Sequence, residues 1–387
     1  MKKETILITG GAGFIGSHTA DALRKKGYRI RILDNLEPVV HKGKWPEYAL
    51  GKKYELVRGD VRKIGDWRKA LRGVSYVYHL AAYQDQRPDF GKFFDVNTGG
   101  TALLYEVLAE KKSHVKKVII ASSQFVYGDG KYQCRHGGGY FYPELRSEKD
   151  LKSGRFDILC RHGPPASQAS PLAENGEAAR ARALRAGPPA KFFPFREDQP
   201  LSPTNAYGLS KEAMERLAMR FGKTCGVPTV ILRYSIVQGV RQSPHNLYSG
   251  ALRIFVTQAL AGKSITVFED GKQLRDFVNI KDVVAANLLV LKNKKADFSA
   301  SGGSAFGGGI FNVGGGRAYR VLDFAKLVKK ITCSESEIKI GGFRRTDTRH
   351  AVSDISKLKS LGWRPRFGPE DSVGDYVVWY KKNFARD

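Results

Sequence analysis

Cysteine is scarce in this chain: four among 387 residues, Cys134, Cys160, Cys225 and Cys333. So few thiols in so long a chain exclude a disulfide framework and fit a reducing cytoplasm. Long apolar runs are missing as well. None approaches the ~18 residues of a membrane-spanning helix, and the apolar stretch in "MKKETILITGG" is too short for a signal-peptide core. A soluble, cytoplasmic protein with no membrane partner is expected. Acidic residues are also in short supply, 38 against 65 Lys and Arg, which leaves a net charge of +27. An excess of that size raises the question of a nucleic-acid partner. There is, however, no basic block interleaved with aromatics, no zinc-finger spacing and no RNA-recognition pattern. The charge is also dispersed, since 131–196 holds only 12 basic and 6 acidic residues of the total. A generally basic surface is the favoured reading, and nucleic acid is not expected as a partner. An anionic small substrate fits either way.

What is present is alternation. Short runs rich in β-branched residues, "TILIT", "RIRIL", "YELVRG", "YVYHLAA", "KVIIASS" and later "TVILRYS", predict strands. Amphipathic stretches such as "FIGSHTADALRKKG" and "TALLYEVLAEKK" lie between them. Strand and helix alternating at this spacing predict a Rossmann-type α/β fold with a doubly wound parallel sheet. From Tyr132 to about Arg196 the pattern gives way to Gly, Pro, Arg and Ala, so an irregular insertion is expected, with one short helix near Glu177 to Leu184. A clear helix resumes at "SPTNAYGLSKEAMERLAMRFG", and the chain after Tyr234 reads as a smaller α/β lobe. That lobe includes a Ser/Gly-rich stretch, "SASGGSAFGGG".

Between the first strand and first helix stands "ITGGAGFIGSH", with Gly10, Gly13 and Gly16. Glycines there allow a tight turn and let the backbone approach a pyrophosphate, which then faces the amides of the helix N-terminus. Asp34 closes the second strand about 20 residues on, where an acid binds the ribose hydroxyls and repels a 2′-phosphate. The expected cofactor is therefore NAD. Asp60, in "RGDV", is either a contact to the adenine edge or a turn aspartate. The expected division is 1–130 with 197–233 as the NAD-binding domain, 131–196 as the insertion, and 234–387 as mainly a substrate-binding lobe.

"AYGLSKEAM" puts Tyr207 and Lys211 four residues apart, on one face of a helix. An ammonium beside a phenol favours the phenolate and lowers a pKa that starts near ~10. Tyr207 then becomes a candidate general base near neutral pH. A serine, Ser123, ends the fifth strand in "ASSQFVYG".

With "TGGAGFIG", "LDNL", "GDV", "HLAA", "VNTGGT", "SSQFVYG", "YGLSK", "RDFVNI" and "DISKLKSLGWRP", the chain resembles the extended short-chain dehydrogenase/reductase superfamily, in its nucleotide-sugar epimerase and dehydratase branch. The resemblance implies Ser123, Tyr207 and Lys211 as catalytic residues. It implies Phe14, Ile15, Asp34, Asn35, Asp60, Val61, Leu80, Ala81, Ala82 and Asn97 beside NAD, and Arg275 and Arg349 on the nucleotide diphosphate. In the related 4,6-dehydratases an acid pair follows the catalytic hydroxyl. Here those positions are Gln124 and Phe125, which transfer no proton, so dehydration is not expected. Reversible oxidation at C4, with hydride return to the opposite face, is what remains: a 4-epimerase, with a homodimer as the implied assembly. "LEPVVHKGKWPEY", "AAYQDQRPDFGKFFDVNT" and "VRQSPHNLYSGALRIF" are further similar to the dTDP-L-rhamnose 4-epimerase-like subgroup. Where the family commonly carries asparagine, "RYSIVQG" has Ile236, which removes a polar contact to the diphosphate or sugar.

The subgroup resemblance also suggests a small zinc knuckle in the insertion, seen here as "CRHG" twice: Cys134 with His136, and Cys160 with His162. Two thiolates and two imidazoles complete a tetrahedral site, although C-x-H is tighter than usual knuckle spacing. A metal-free loop over the substrate mouth is the favoured alternative. Two rival functions stay open, a dehydrogenase or reductase that releases NADH, and a non-catalytic NAD- or RNA-binding regulator.

Overall fold

Strand β1 (Thr5–Thr9) buries every residue, and its alternation decides which wall each one joins. Ile6 and Ile8 face one side with Ile32, Tyr78, Ile119 and Leu232, while Leu7 faces the other with Val77, Val118, Ile120 and Ile231. Burial on both faces is the reason these strands read as continuous apolar runs. The computed structural model describes residues 4–85, 87–110, 114–134, 139–160, 188–244, 250–297 and 309–384. Its main sheet adds β2 (Arg29–Asp34), β3 (Glu55–Arg58), β4 (Tyr76–His79), β5 (Lys117–Ser123), β6 (Thr229–Tyr234) and β7 (Ile310–Val313). They run in the order β7-β6-β5-β4-β1-β2-β3, all parallel. The order reverses between β1 and β4, which opens a crevice at the carboxyl ends of those strands. The fold is the Rossmann-type α/β architecture expected.

Helices cover both faces. Helix α1 (Phe14–Lys25) lies beside the helix Ile280–Lys292 on one face. There Asn287 donates to Thr19 Oγ1 at 2.9 Å and accepts from the Tyr234 hydroxyl at 2.7 Å. On the other face the helices Gly100–Glu110 and Ala206–Thr224 supply Leu104, Leu108, Met214 and Ala218 to the core. Fully burying each of the two leucines and the methionine contributes about 1.5–3 kcal/mol before conformational entropy is counted. Two segments after Tyr234 thus pack with the first lobe: β7 at the sheet edge, and Ile280–Lys292 on its face.

The smaller lobe has its own core of Leu252, Phe255, Val267, Phe277, Phe324 and Tyr376. Asp276 ties it to β6 and to "NVGG". Its carboxylate accepts from Ser235 Oγ (2.9 Å) and from the amides of Gly315 (2.7 Å) and Gly316 (3.1 Å). A Cβ at Gly314 would sit 2.1 Å from Asp276 Oδ2, which accounts for the glycine.

The insertion is more regular than its composition predicts. Strands Tyr140–Phe141, Lys131–Gln133 and Lys191–Phe193 form an antiparallel sheet in that order, and Glu148–Lys152 is a short helix. Its pairing joins residues far apart in sequence, so no local period announces it. The helix expected near Glu177 to Leu184 lies outside the described residues. Among the described residues no helix is long and apolar enough to cross a membrane.

Candidate active site

The turn after β1 is built for close approach. Gly10 has φ +65°, a left-handed conformation, and a Cβ there would lie 2.8 Å from the Ala81 backbone. At Gly16 a Cβ would come within 2.2 Å of the Gly10 carbonyl oxygen. The first turn of α1 has no side-chain cap, so its amides face the cavity in front of it. That cavity, of about 1850 Å³, runs from the glycine turn across the ends of β2, β4 and β5 into the smaller lobe. It exceeds the usual ~300–1,000 Å³ of a single-ligand pocket.

Asp34 ends β2 and is buried at its rim. Its Oδ2 accepts from the Ala12 amide at 3.0 Å and its Oδ1 from Leu36 at 2.9 Å. Burial pushes its pKa up, opposed by His41 and those amides. Each oxygen keeps a further lone pair for a hydroxyl. Asp60 is paired with Arg62, at 2.7 Å. Burial alone would raise the Asp60 pKa, but the Arg62 guanidinium and amide outweigh it and hold the carboxyl below its ordinary range. Gly13, Phe14, Ile15, Asn35, Val61, Leu80, Ala81 and Ala82 also line the cavity.

Asn97 does not line it. The Asn97 side chain accepts from the Tyr83 amide (2.8 Å) and donates to Tyr83 O (3.1 Å) and Ser210 Oγ (2.9 Å). It thereby pins the cavity loop after β4 to the helix Ala206–Thr224.

Two devices bring the catalytic candidates together. Asn205 caps that helix by accepting from Gly208 N at 2.8 Å. Gly208 then lets the helix approach the chain after β5, since a Cβ would lie 2.6 Å from Phe125 O. Lys211 Nζ donates to Ala121 O at 2.8 Å and stands 5.9 Å from the Tyr207 ring centroid. Burial pushes the Lys211 pKa down to about 7, with Glu215 opposing. Ser123 Oγ accepts from the Phe125 amide at 3.2 Å, which leaves its hydroxyl proton available to a ligand oxygen. Phe125 meets Tyr207 edge-on, ring centroids 6.3 Å apart, and lines the cavity, whereas Gln124 is buried and does not.

Beneath them runs a buried network that the motifs did not announce. Ser122 Oγ donates to Glu215, Arg233 grips Glu215 at 2.6–3.2 Å, and Arg233 also reaches the Tyr127 hydroxyl at 2.7 Å. Glu215 lies four residues beyond Lys211 on the same helix face, and that spacing was its signal.

In the smaller lobe Arg275 lines the cavity, donating to the carbonyls of Leu274, Thr348 and Arg349. Arg349 does not line it; its guanidinium, 1% exposed, is taken up by Asp157, Glu269 and Asp270. Arg344, absent from the sequence reading, does line the cavity, stacked 4.5 Å over Phe268.

Cys134 and Cys160 are buried beside one another. Burial and the hydrogen bond with Cys160 push the Cys134 thiol up to about 11. Among the described residues no group of three His, Cys, Asp or Glu could hold a metal ion, and His136 and His162 lie outside them. The zinc knuckle, the less favoured of the two expectations for the insertion, finds no support among the described residues.

The sequence model of the NAD dependent epimerase/dehydratase family matches residues 6–139 and 185–314. A dTDP-L-rhamnose 4-epimerase of Burkholderia thailandensis is 30% identical over 98% of this chain and 96% of its own length. A putative UDP-glucose 4-epimerase of Methanocaldococcus jannaschii is 28% identical, covering 98% and 99%. Among solved structures, UDP-glucose 4-epimerase of Thermotoga maritima with UDP-glucose superposes at a TM-score of 0.74 with 26% identity, covering 98% of this chain and 100% of that one. The Thermus thermophilus UDP-glucose 4-epimerase complex with NAD gives 0.70 at 25% identity, covering 98% and 99%. The glycine turn, the crevice at the strand ends and these matches agree: the chain belongs to the NAD dependent epimerase/dehydratase family.

Proposed function

We propose that the protein is an NAD-dependent nucleotide-sugar 4-epimerase, with dTDP-L-rhamnose as the first substrate to try. One observation carries this reading. A single cavity contains the glycine turn, then Ser123, Tyr207 and Lys211, and then Arg275 and Arg344. That sequence of chemistries suits a dinucleotide, a reacting sugar carbon and a diphosphate in turn.

Gly10 and Gly16 leave room for a pyrophosphate against α1, and Asp34 accepts from ribose hydroxyls. NAD, when bound, supplies the acceptor and then the donor of hydride. Tyr207 Oη takes the proton of the sugar C4 hydroxyl as that carbon is oxidised, and Ser123 donates to the oxygen as it becomes a carbonyl. Lys211 favours the phenolate in proportion to its charged fraction, which its burial reduces near neutral pH. Arg275 and Arg344 hold the diphosphate while the 4-keto sugar turns over. Tyr207 then returns its proton to the oxygen when the carbon is reduced on its other face. A homodimer through the helices Gly100–Glu110 and Ala206–Thr224 belongs to the same proposal; Leu209 and Phe221 stand exposed on the second.

The test follows the C4 proton of dTDP-L-rhamnose by NMR with no added reductant. A second sugar at equilibrium without net NADH supports the reading. Steady NADH accumulation would make the protein a dehydrogenase instead.

A further inference from the structure

Arg146 belongs to the insertion and is not among the cavity-lining residues, yet it reaches two loops that are. One Nη donates to Glu269 Oε1 and to the Asp347 carbonyl oxygen, both at 2.6 Å; the other donates to Phe156 O at 3.0 Å. Glu269 and Asp347 sit in separate loops. The first loop places Phe268 and Gln273 on the cavity wall, and the second places Arg344, Thr346 and Thr348 there.

Glu269 is held against its own backbone preference. Its φ is +55°, a left-handed conformation that a non-glycine residue disfavours and that persists where surroundings impose it. Arg146 takes one carboxylate oxygen, Arg349 takes the other at 2.9 Å, and the Glu269 amide donates to Gly342 O at 2.8 Å. The adjacent Phe268 ring carries the Arg344 guanidinium. A second arm of the insertion, Asp157, accepts from Arg349 Nε at 2.8 Å, and the carbonyls of Thr348 and Arg349 in turn orient Arg275. Arg344 therefore stands on a loop that the insertion braces from behind, and the strand residue Arg275 leans on that loop's continuation.

Resting on the functional reading above, we infer that Arg146 is a positioning residue for the nucleotide diphosphate, acting through Glu269 and Asp347 on Arg344 and Arg275. The insertion then buttresses the substrate site's wall from behind, no described residue of 131–196 lining the cavity itself. A brace of this kind acts on substrate binding and leaves the chemistry at Ser123 and Tyr207 intact, so its removal raises KM and spares kcat.

The test uses the full-length protein with Arg146→Met, Arg146→Lys and Glu269→Gln. Calorimetry measures binding of dTDP and UDP, and kinetics and bound NAD are followed alongside. Arg146→Met is expected to weaken nucleotide binding and raise KM on the order of ten-fold, with kcat and NAD content within about two-fold of wild type. Arg146→Lys, which keeps the charge but not the planar fork, is expected to recover part of the loss. Should Arg146→Met fail to fold, Glu269→Gln carries the same expectation and Arg146→Lys a smaller loss in the same direction. Wild-type nucleotide affinity in these variants, or loss of kcat and NAD in step with KM, overturns the inference. A wild-type protein that retains NAD but binds neither nucleotide overturns the functional reading, and this inference with it.

Discussion

Lys211 Nζ donates to the Ala121 carbonyl oxygen at 2.8 Å, tying the end of β5 to the helix that carries Tyr207. The lysine thus has a backbone partner, an aromatic ring 5.9 Å away and almost no water. Tyr207→Phe should lower kcat by at least about 10³-fold while bound NAD remains. Single-turnover kinetics on the variant check this, and near-wild-type turnover would remove Tyr207 from the chemistry.

Burial of Lys211 has a sign that can be measured. Its folded pKa, about 7, lies below the ~10.4 of an exposed lysine. Between those values the unfolded chain binds the extra proton, so the penalty for burying the charge is full below pH 7 and fades as pH rises toward 10.4. In protein stripped of NAD, Lys211→Met should raise Tm at pH 7, and the gain should shrink steadily up to pH 10. A pH-independent difference would contradict the account.

Gly16→Ala places a methyl carbon 2.2 Å from a backbone oxygen that cannot move aside without unmaking the turn. NAD should be lost on purification, and stability should fall by about 1–3 kcal/mol, as for overpacking elsewhere. Absorbance of the extracted cofactor and denaturant unfolding read the two effects.

Glu215 holds Arg233 in a pair whose side chains are each 3% exposed. Glu215→Gln leaves that guanidinium buried without its counter-charge, a change that costs about 3–5 kcal/mol where one partner of a buried pair is removed. Denaturant midpoints for Glu215→Gln and the double variant Glu215→Gln/Arg233→Met should show partial recovery in the second. Additive losses would mean that the two do not act as a pair.

Phe125 presents a ring with no donor or acceptor to the cavity beside Tyr207. On the proposed function this position, which holds an acid acting across the sugar's C5–C6 bond in the related 4,6-dehydratases, faces the sixth carbon, and Phe125→Thr supplies a hydroxyl there. We expect it to raise kcat/KM for hydroxymethyl sugars over 6-deoxy sugars by about 10-fold. Competition between UDP-glucose and dTDP-L-rhamnose would show the shift, and an unchanged ratio would place the sugar's sixth carbon elsewhere.

The main sheet was legible because its inner strands are buried on both faces and its helices are amphipathic, patterns that act within a few residues. The glycine turn, Asp34 and the Tyr207–Lys211 spacing were legible for the same reason. Arg344 and Arg349 show where such reading stops. They lie five residues apart in one arginine-rich stretch, and only the carboxylates of Asp157, Glu269 and Asp270, brought from distant segments, decide which of them is withdrawn from the cavity. Asn97 was associated with the cofactor by its motif, while its bonds to Tyr83 and Ser210 give it a positioning geometry. The insertion's small sheet pairs Lys131 with Phe193 across the whole segment, a contact that no local pattern encodes.

The most direct test of the account is the fate of the C4 hydrogen. A nucleotide sugar deuterated at C4, dTDP-L-rhamnose first, would be incubated with the protein in ordinary water and the product examined by NMR and mass spectrometry. The account predicts epimer with deuterium kept at C4 and no net NADH, because the hydride leaves and returns within one site. Deuterium exchanged for solvent hydrogen, or NADH accumulating in step with product, would contradict it.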